Sequence, residues 1–142
     1  MAKEYIWEEG KVLAEKFNKV LEYLNIENVN DCERITLSYD ELNYLIELGV
    51  VDINDYQNNS PSIRQLRNIA GYFQDAVIFG YIVSKDRDDC RISIDGITLY
   101  YDRLEDGLNI NQNKLINIIN KKFHPDEFII EKSDNSIYFW WD

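Results

Sequence analysis

Apolar residues recur at helical spacing in four separate parts of the chain. In each part they repeat every three or four positions, which is the period of a helix with one buried face. The pattern predicts helices over about Lys3–Leu24, Tyr39–Leu48, Pro61–Tyr72 and Gln112–Phe123. The polar stretch Asn54–Pro61 is expected to be a surface connection between the second and third helices.

The ends of the second and third predicted helices carry capping signals. Ser38 and Glu41 have the spacing of a capping box, and Gly49 stands where a helix C-terminus favours glycine. At the start of the third helix, Ser60 is expected to be the N-cap and Pro61 the first helical residue. Both helices are therefore expected to begin directly after a serine.

Strand patterns lie between and after the last two helices. Val77–Ser84 is a largely apolar run, and Cys90–Asp95 alternates between apolar and polar residues, as a half-buried strand does. The polar stretch Lys85–Asp89 is expected to be the turn that joins them. Gly96 marks either a second hairpin turn or a β-bulge before Ile97–Tyr101.

A final hairpin is predicted from Glu127–Lys132 and Ser136–Trp141, with Asp134 and Asn135 at its turn. The order of elements is then three helices, two or three strands, one helix and two strands. This order predicts an α+β fold, in which an antiparallel sheet of four to five strands packs against about four helices that lie mainly on one face.

A two-residue turn at Asp134 and Asn135 would fix the pairing of that hairpin. The expected pairs are Ile130 with Phe139, Phe128 with Trp141, Ile129 with Trp140, and Glu131 with Tyr138. The first two pairs form a wholly apolar face, which we expect to be buried. The other face, with Ile129, Tyr138 and Trp140, is more apolar than contact with water requires. It is expected either to be covered by a helix or by the N-terminal segment, or to bind a partner or a second copy of the chain.

The composition is that of a globular domain. The chain has 142 residues, of which 45% are apolar and 29% charged, and we expect one acidic domain over residues 1–142. Cys32 and Cys90 are expected to be reduced thiols, since no stretch resembles a signal peptide or a membrane span. These features predict a cytoplasmic location. The abundance of Asn, Ile, Lys and Tyr fits an AT-rich bacterial or phage genome.

The charge of the chain bears on its partners. A formal net charge of −11 repels phosphate, so direct binding to nucleic acid or to an anionic membrane is not expected, whereas a basic protein is a favoured partner. Residues 27–55 contain eight acidic residues and Arg34 as the single base, which gives this segment a net charge of −7. The first predicted helix instead alternates Glu and Lys and nearly neutralises itself.

No motif in the sequence predicts catalysis or a metal site. His124 is the single histidine, and a catalytic role for it would need a nucleophile such as Cys90 nearby. Nothing that flanks Cys90 resembles the surroundings of an activated nucleophile. An EF-hand loop that began at Asp86 would need Gly at its sixth position and Glu at its twelfth, where the chain has Arg91 and Ile97. We therefore expect no catalytic residue, no bound metal and no cofactor.

A protein-binding surface is predicted on the second helix. Leu42, Leu45 and Ile46 define its buried side. Asp40, Tyr44 and Glu47 therefore point away from the core. Acidic residues around an exposed tyrosine suit a Lys/Arg-rich partner, because complementary charge accelerates encounter. The full set of candidate protein-binding residues is Glu33, Asp40, Glu41, Tyr44, Glu47, Asp52, Asp55, Tyr138 and Trp140.

The leading hypothesis is a small non-enzymatic protein that binds and inhibits a basic partner, of the toxin-immunity or the phage and mobile-element anti-defence type. Acidic residues between Asp40 and Asp55 would steer the partner, and Tyr44 and Trp140 would anchor it. One alternative is an enzyme or ligand-binding domain with a pocket between the helices and the sheet. Another is a homo-oligomer, such as a dimer through the C-terminal hairpin. In a third, the acidic segment only keeps the protein soluble.

Overall fold

The computed structural model describes residues 10–56, 59–73, 75–84, 87, 90–101, 103–104, 107–108 and 110–142. The predicted beginning of the first helix, residues 3–9, and most of the predicted turn at residues 85–89 lie outside the described residues. The helices are α1 (Gly10–Tyr23), α2 (Tyr39–Leu48), α3 (Ile63–Tyr72) and α4 (Ile110–Phe123). The strands are β1 (Cys32–Leu37), β2 (Val77–Val83), β3 (Ile92–Tyr100), β4 (Arg103–Leu104), β5 (Gly107–Leu108), β6 (Glu127–Glu131) and β7 (Ser136–Trp140).

The described strands form two antiparallel sheets. The main sheet has five strands in the order β1-β2-β3-β7-β6, and β4 pairs with β5 in a separate two-stranded sheet. All neighbouring strands in both sheets are antiparallel. Together with the four helices of the described part, this is the α+β fold that the sequence pattern predicts, and its main sheet has five strands, within the expected range.

Strand β1, at one edge of the main sheet, is absent from the sequence prediction. Ile35 and Leu37 are its buried residues, while the other four positions are exposed. Because only two side chains of β1 are buried, the alternation of apolar and polar residues is too short to predict a strand. The short strands β4 and β5, of two residues each, are likewise not predicted.

Helix α2 begins and ends at the predicted residues. The Glu41 N–H donates to Ser38 Oγ at 3.1 Å, and the Ser38 N–H donates to Glu41 Oε1 at 2.8 Å, which completes the predicted capping box. After the helix, Gly49 adopts a φ of 83°, a left-handed conformation that glycine reaches without strain. Local sequence therefore determines both ends of this helix.

The predicted start of α3 is wrong. Its N-cap is Ser62 rather than Ser60, and the helix begins at Ile63 rather than Pro61. The Gln65 N–H donates to Ser62 Oγ at 3.2 Å, and the Ser62 N–H donates to Gln65 Oε1 at 2.8 Å. Ser60 is buried, and its hydroxyl donates to the Pro61 carbonyl at 3.0 Å. The box at Ser62 satisfies two backbone N–H groups reciprocally, which a serine before Pro61 cannot do.

Gly96 marks a β-bulge rather than a turn, and β3 continues through it. Phe79 pairs with Gly96 and Gly80 pairs with Ile94, so Asp95 is an extra residue on β3. A Cβ at position 96 would collide with the Phe79 ring. The ring can lie against the strand because glycine has no side chain there.

The C-terminal hairpin is present, but its predicted register is wrong by two residues. Its turn spans residues 132–135 rather than Asp134 and Asn135 alone. The observed pairs are Glu127 with Trp140, Phe128 with Phe139, Ile129 with Tyr138, Ile130 with Ile137, and Glu131 with Ser136. A shift of two positions leaves each side chain on its predicted face, because the side chains of a strand alternate with a period of two.

The core lies between the helices and one face of the main sheet, the helix-covered face. Helix α2 contacts β1 and β2, and α3 contacts β2 and β3. The buried strand residues of this face are Ile35, Leu37, Ile78, Ile82, Ile92, Ile94, Ile97, Leu99, Ile137 and Phe139. Burying one such aliphatic side chain stabilises the fold by about 1.5–3 kcal/mol. The opposite side of the sheet, here the second face, carries Arg34, Thr36, Phe79, Tyr81, Thr98, Tyr138 and Trp140.

Strand β6 departs from the prediction that one face of the hairpin is buried. On the helix-covered face, Phe139 and Trp141 are buried, but Phe128 is 37% and Ile130 is 48% exposed. Ile129, on the second face, is 42% exposed. Among the described strands, β6 ends the sheet and pairs only with β7, so its side chains have a neighbouring described strand on one side only. It therefore presents three consecutive apolar residues at an edge.

Candidate protein-binding surface

The first turn of α2 carries two carboxylates, Asp40 and Glu41. The backbone N–H groups of a helix N-terminus carry partial positive charge, which favours acidic side chains there. Glu41 is half-buried and its carboxylate accepts the N–H of Ser38, whereas Asp40 is exposed. Glu41 thus has a structural role besides its charge, and Asp40 presents its carboxylate to solvent.

Tyr44 follows on the same side of α2 and stacks on Tyr23, the last residue of α1. Their ring centroids are 4.1 Å apart and the ring planes meet at 26°. The prediction that Tyr44 is exposed is wrong, since its ring is partly buried against the core, while Tyr23 is 42% exposed. Desolvation, then the negative charges of Glu41 and Asp40, raise the pKa of Tyr23. The stacked rings therefore lie within the electrostatic field of the α2 carboxylates.

Two further glutamates extend this region. Glu47 is exposed and lies three residues after Tyr44, on the same stripe of the helix. Glu33 is exposed on β1 and, with Glu41, lines a cleft of about 340 Å³ between β1, the start of α2 and the segment after α1. We name this set the acidic-aromatic surface, consisting of Tyr23, Glu33, Asp40, Glu41, Tyr44 and Glu47.

Asp52 and Asp55 lie in the connection between α2 and α3. Asp52 Oδ1 accepts the N–H of Asn54 at 2.9 Å, and the Asp55 carbonyl accepts the N–H of Ile63 at 2.9 Å. Both contacts are local and hold the shape of the connection. These two predicted binding residues therefore have a structural role in the loop that leads to α3.

Tyr138 and Trp140 lie on the second face of the sheet, whereas α2 packs against the helix-covered face. The sheet therefore stands between Trp140 and Tyr44, which the sequence hypothesis treats as anchors of a single contact. The nine predicted residues therefore do not form one surface: five lie on α2 and β1, two in the connection after α2, and two on the second face.

Sequence reasoning missed a polar network at the centre of the second face. Arg34 donates from Nη1 and Nη2 to the two carboxylate oxygens of Asp95, at 3.0 and 3.1 Å, and Trp140 Nε1 donates to Asp95 Oδ2 at 3.2 Å. The Asp95 side chain is 8% exposed and that of Arg34 is 56% exposed. The hydrogen bonds that Arg34 donates to Asp95 raise the pKa of Arg34. A bidentate guanidinium is the partner that best satisfies a buried carboxylate.

Aromatic rings surround this network. The Arg34 guanidinium carbon lies 5.7 Å from the Phe79 ring centroid and 5.9 Å from that of Tyr81, within cation–π range. Phe79 in turn stacks on Tyr138, with centroids 5.1 Å apart and planes at 9°. Desolvation and then the charge of Glu127 raise the pKa of Tyr138. The apolar side chains of the second face thus cover one another in part.

The histidine and the two cysteines differ in their exposure. His124 is exposed and has a φ of 46° directly after α4. Cys90 is buried and its thiol donates to the Val83 carbonyl at 3.3 Å, and Cys32 is exposed. Among the residues that the structure describes, no group of three or more His, Cys, Asp or Glu is arranged to hold a metal ion. Within the same residues, none of the helices combines the length and apolarity needed to cross a membrane.

Comparison with protein-family models, curated proteins and solved structures gives no match for the chain. A function is therefore assigned from the residues themselves. On the acidic-aromatic surface, exposed carboxylates, a stacked pair of tyrosines and a cleft occur together.

Proposed function

We propose that this chain is a non-enzymatic acidic protein that binds a basic partner protein and inhibits it by covering the partner's basic surface. The observation that carries the proposal is the stacked Tyr23–Tyr44 pair beside the exposed carboxylates of Asp40 and Glu47. Rings already held in place lose little conformational entropy on binding, and carboxylates around them select a positively charged partner. Toxin-immunity and anti-defence proteins are the classes of inhibitor that these properties fit.

The distribution of charge supports the same function. Residues 27–55 hold a net charge of −7 out of the −11 of the whole chain. A concentrated negative patch attracts a basic protein over about 10 Å at 0.1 M salt, and this steering raises the association rate. Added salt should therefore weaken the complex by slowing its formation.

The test is capture by the immobilised chain from an extract of its host. We expect the wild type to retain a basic protein at low salt, and the double variant Asp40→Lys with Glu47→Lys to lose it. The matched control is Glu127→Lys with Glu131→Lys, which changes the net charge equally on the exposed strand β6. The captured protein, once purified, should lose its activity on addition of the wild type but not of the α2 variant.

Three results separate the parts of this proposal. Equal retention by the wild type and the α2 double variant would show that the acidic-aromatic surface is not the binding site. Loss of the partner with both double variants would mean that the net charge of the chain, and not the acidic-aromatic surface, determines binding. A retained partner whose activity is unchanged would contradict inhibition but not binding.

A second candidate function is homodimerisation through the C-terminal hairpin. The observation that favours it is the exposure of Phe128, Ile129 and Ile130 on the edge strand β6, since apolar edges are sites of strand pairing. Light scattering after size exclusion should then give the mass of two chains for the wild type and of one chain for Ile129→Lys. The mass of a single chain for the wild type at high concentration would contradict this function.

A further inference from the structure

We infer that the free edge of β1 receives an extended, lysine- or arginine-bearing segment of the basic partner as a sixth strand of the main sheet. The inference rests on the proposed function and specifies which part of the partner is bound and how. In the part of the chain that the structure describes, strand β1 lies at one end of the sheet and pairs only with β2 over residues 32–37. Binding by strand addition uses such an edge, with backbone hydrogen bonds for affinity and side chains for specificity.

The backbone of β1 has a definite set of outward groups. The Ser84 N–H donates to the Asp31 carbonyl at 2.9 Å, which fixes the alternation of the ladder between β1 and β2. In an antiparallel ladder successive residues direct their N–H and C=O groups to opposite sides. The odd-numbered residues of β1 therefore form backbone hydrogen bonds with β2, whereas the N–H and C=O groups of Arg34 and Thr36 point away from the sheet. These outward groups form the template for an added strand.

A cleft lies along this edge. The cleft of about 340 Å³ is lined by Leu24, Ile26, Glu33, Arg34, Ile35, Thr36 and Glu41. No residue of β2 is among them, so the cleft lies on the outer side of β1. A second cleft of about 300 Å³ shares Thr36 and Glu41 with it, but Val77 of β2 also lines it, so it lies at the end of the ladder between β1 and β2. An added strand would lie about 4.8 Å from β1 and would occupy the first cleft.

Two of the features that usually prevent strand addition, a proline and a bulge, are missing from β1. A charged side chain lying across the edge is another such feature, and Arg34 is the candidate for it. Asp95 instead holds the Arg34 guanidinium over the second face, at 3.0 and 3.1 Å. The backbone at positions 34 and 36 therefore faces the cleft.

Charge determines which strand fits. Glu33 and Glu41 line the cleft, and Asp40 is exposed beside Glu41. Side chains of the added strand that point toward α2 would lie among these carboxylates and should therefore be basic. A second copy of the chain is a poor occupant, because it would bring two segments of net charge −7 together.

The first experiment uses a synthetic ten-residue peptide that alternates lysine and valine. Fluorescence anisotropy measures its binding to the whole protein. Two further peptides carry N-methyl groups on alternate backbone nitrogens, one on the lysines and the other on the valines. Both methylated peptides keep the charge of the parent. When the lysines face Glu33 and Glu41, only one of the two sets of alternate backbone N–H groups points toward β1. Methylation of that set removes the hydrogen bonds to β1, and methylation of the other set leaves them in place. We expect one methylated peptide to bind about tenfold more weakly or worse and the other to bind like the parent.

The second experiment changes the protein. Proline at position 36 removes an N–H that points away from β2, so Thr36→Pro should weaken binding of the parent peptide about tenfold, whereas Thr36→Ala should not. Circular dichroism establishes that both variants are folded. If the proline variant does not fold, the methylated peptides still decide the question.

The outcomes distinguish strand addition from the proposed function itself. Equal binding of all three peptides, together with loss of binding to Asp40→Lys with Glu47→Lys, would overturn strand addition and leave the proposed function in place. No binding of the parent peptide would also overturn strand addition. Unequal binding of the methylated peptides without any effect of the charge reversals would support the edge and contradict the acidic-aromatic surface.

Discussion

Arg34 connects parts of the molecule that are distant in sequence. From the edge strand β1 its side chain reaches across β2 to Asp95 in the bulge of β3. The carboxylate is buried while the guanidinium is more than half exposed, so the two partners depend on the contact unequally. A buried carboxylate without a partner is costly, whereas a guanidinium at the surface can be hydrated.

This asymmetry predicts unequal effects of mutating the two partners. Arg34→Met leaves the buried Asp95 carboxylate with the indole N–H of Trp140 and should lower the free energy of unfolding by about 3 kcal/mol. Asp95→Asn keeps a polar group of the same size in the bulge and should cost about 1 kcal/mol. Urea unfolding of the two variants measures both values. A greater loss for Asp95→Asn than for Arg34→Met would contradict this account.

Two tyrosines predict how stability changes at high pH. The structure raises the pKa of Tyr23 and Tyr138 above the ordinary value of 10.0. As the pH rises past 10, the unfolded chain therefore loses these protons before the folded protein does. Their contribution to stability is complete below pH 10 and falls as the pH rises toward their folded-state pKa. Thermal unfolding between pH 9 and 11 should show a smaller fall for Tyr23→Phe with Tyr138→Phe than for the wild type. An equal fall in both proteins would refute the assignment.

At the scale of elements, local capping explains why the sequence predicts the start of α2 correctly and that of α3 incorrectly. At α2 a single serine has both the right spacing and a glutamate three residues later, so the prediction is confirmed. At α3 two serines flank Pro61, and the sequence Ser62–Gln65 contains the capping-box signal that identifies the right one. The prediction places the start of α3 two residues too early because proline is favourable as the first residue of a helix.

The cap of α3 gives a direct test of this interpretation. Ser62→Ala removes the hydroxyl that accepts the Gln65 N–H and should lower the free energy of unfolding by about 1 kcal/mol. Ser133→Ala, in the exposed turn of the C-terminal hairpin, is the matched control and should change it by less than about 0.5 kcal/mol. Chemical denaturation measures both variants. Equal effects would mean that the Ser62 hydroxyl does not contribute as a cap.

For the whole molecule, the excess of negative charge predicts how stability depends on salt. Acidic residues of the 27–55 segment repel one another in the folded state more than in the expanded chain, and salt screens this repulsion. Raising the salt from about 20 to about 500 mM NaCl should therefore increase the melting temperature by about 3 °C. A variant with Glu33→Gln and Glu47→Gln should show a smaller increase. A fall with salt would mean that ion pairs outweigh the repulsion.

The sequence predicts those features of the site that depend on neighbouring residues. Helical periodicity predicts that Asp40, Tyr44 and Glu47 share one stripe of α2, and Asp40 and Glu47 are exposed there, but Tyr44 is partly buried against the core rather than exposed. The stacking of Tyr23 on Tyr44 and the pairing of Arg34 with Asp95 depend on how separate elements pack. Arg34 and Asp95 are 61 residues apart, and Arg34 lies on a strand whose pattern is too short to predict. Without the order of the strands, no local signal could join them.

The pairing of Arg34 with Asp95 also limits how β1 can move. Sliding β1 by two residues along β2 would carry Arg34 about 7 Å from its position, too far to keep either bond to Asp95. Sliding by one residue would turn its side chain to the helix-covered face. The register of strand β1 against β2 is therefore fixed. In a partner segment that pairs with β1, each residue would then contact a defined position of β1. The order of the residues in that segment would affect binding as much as their composition.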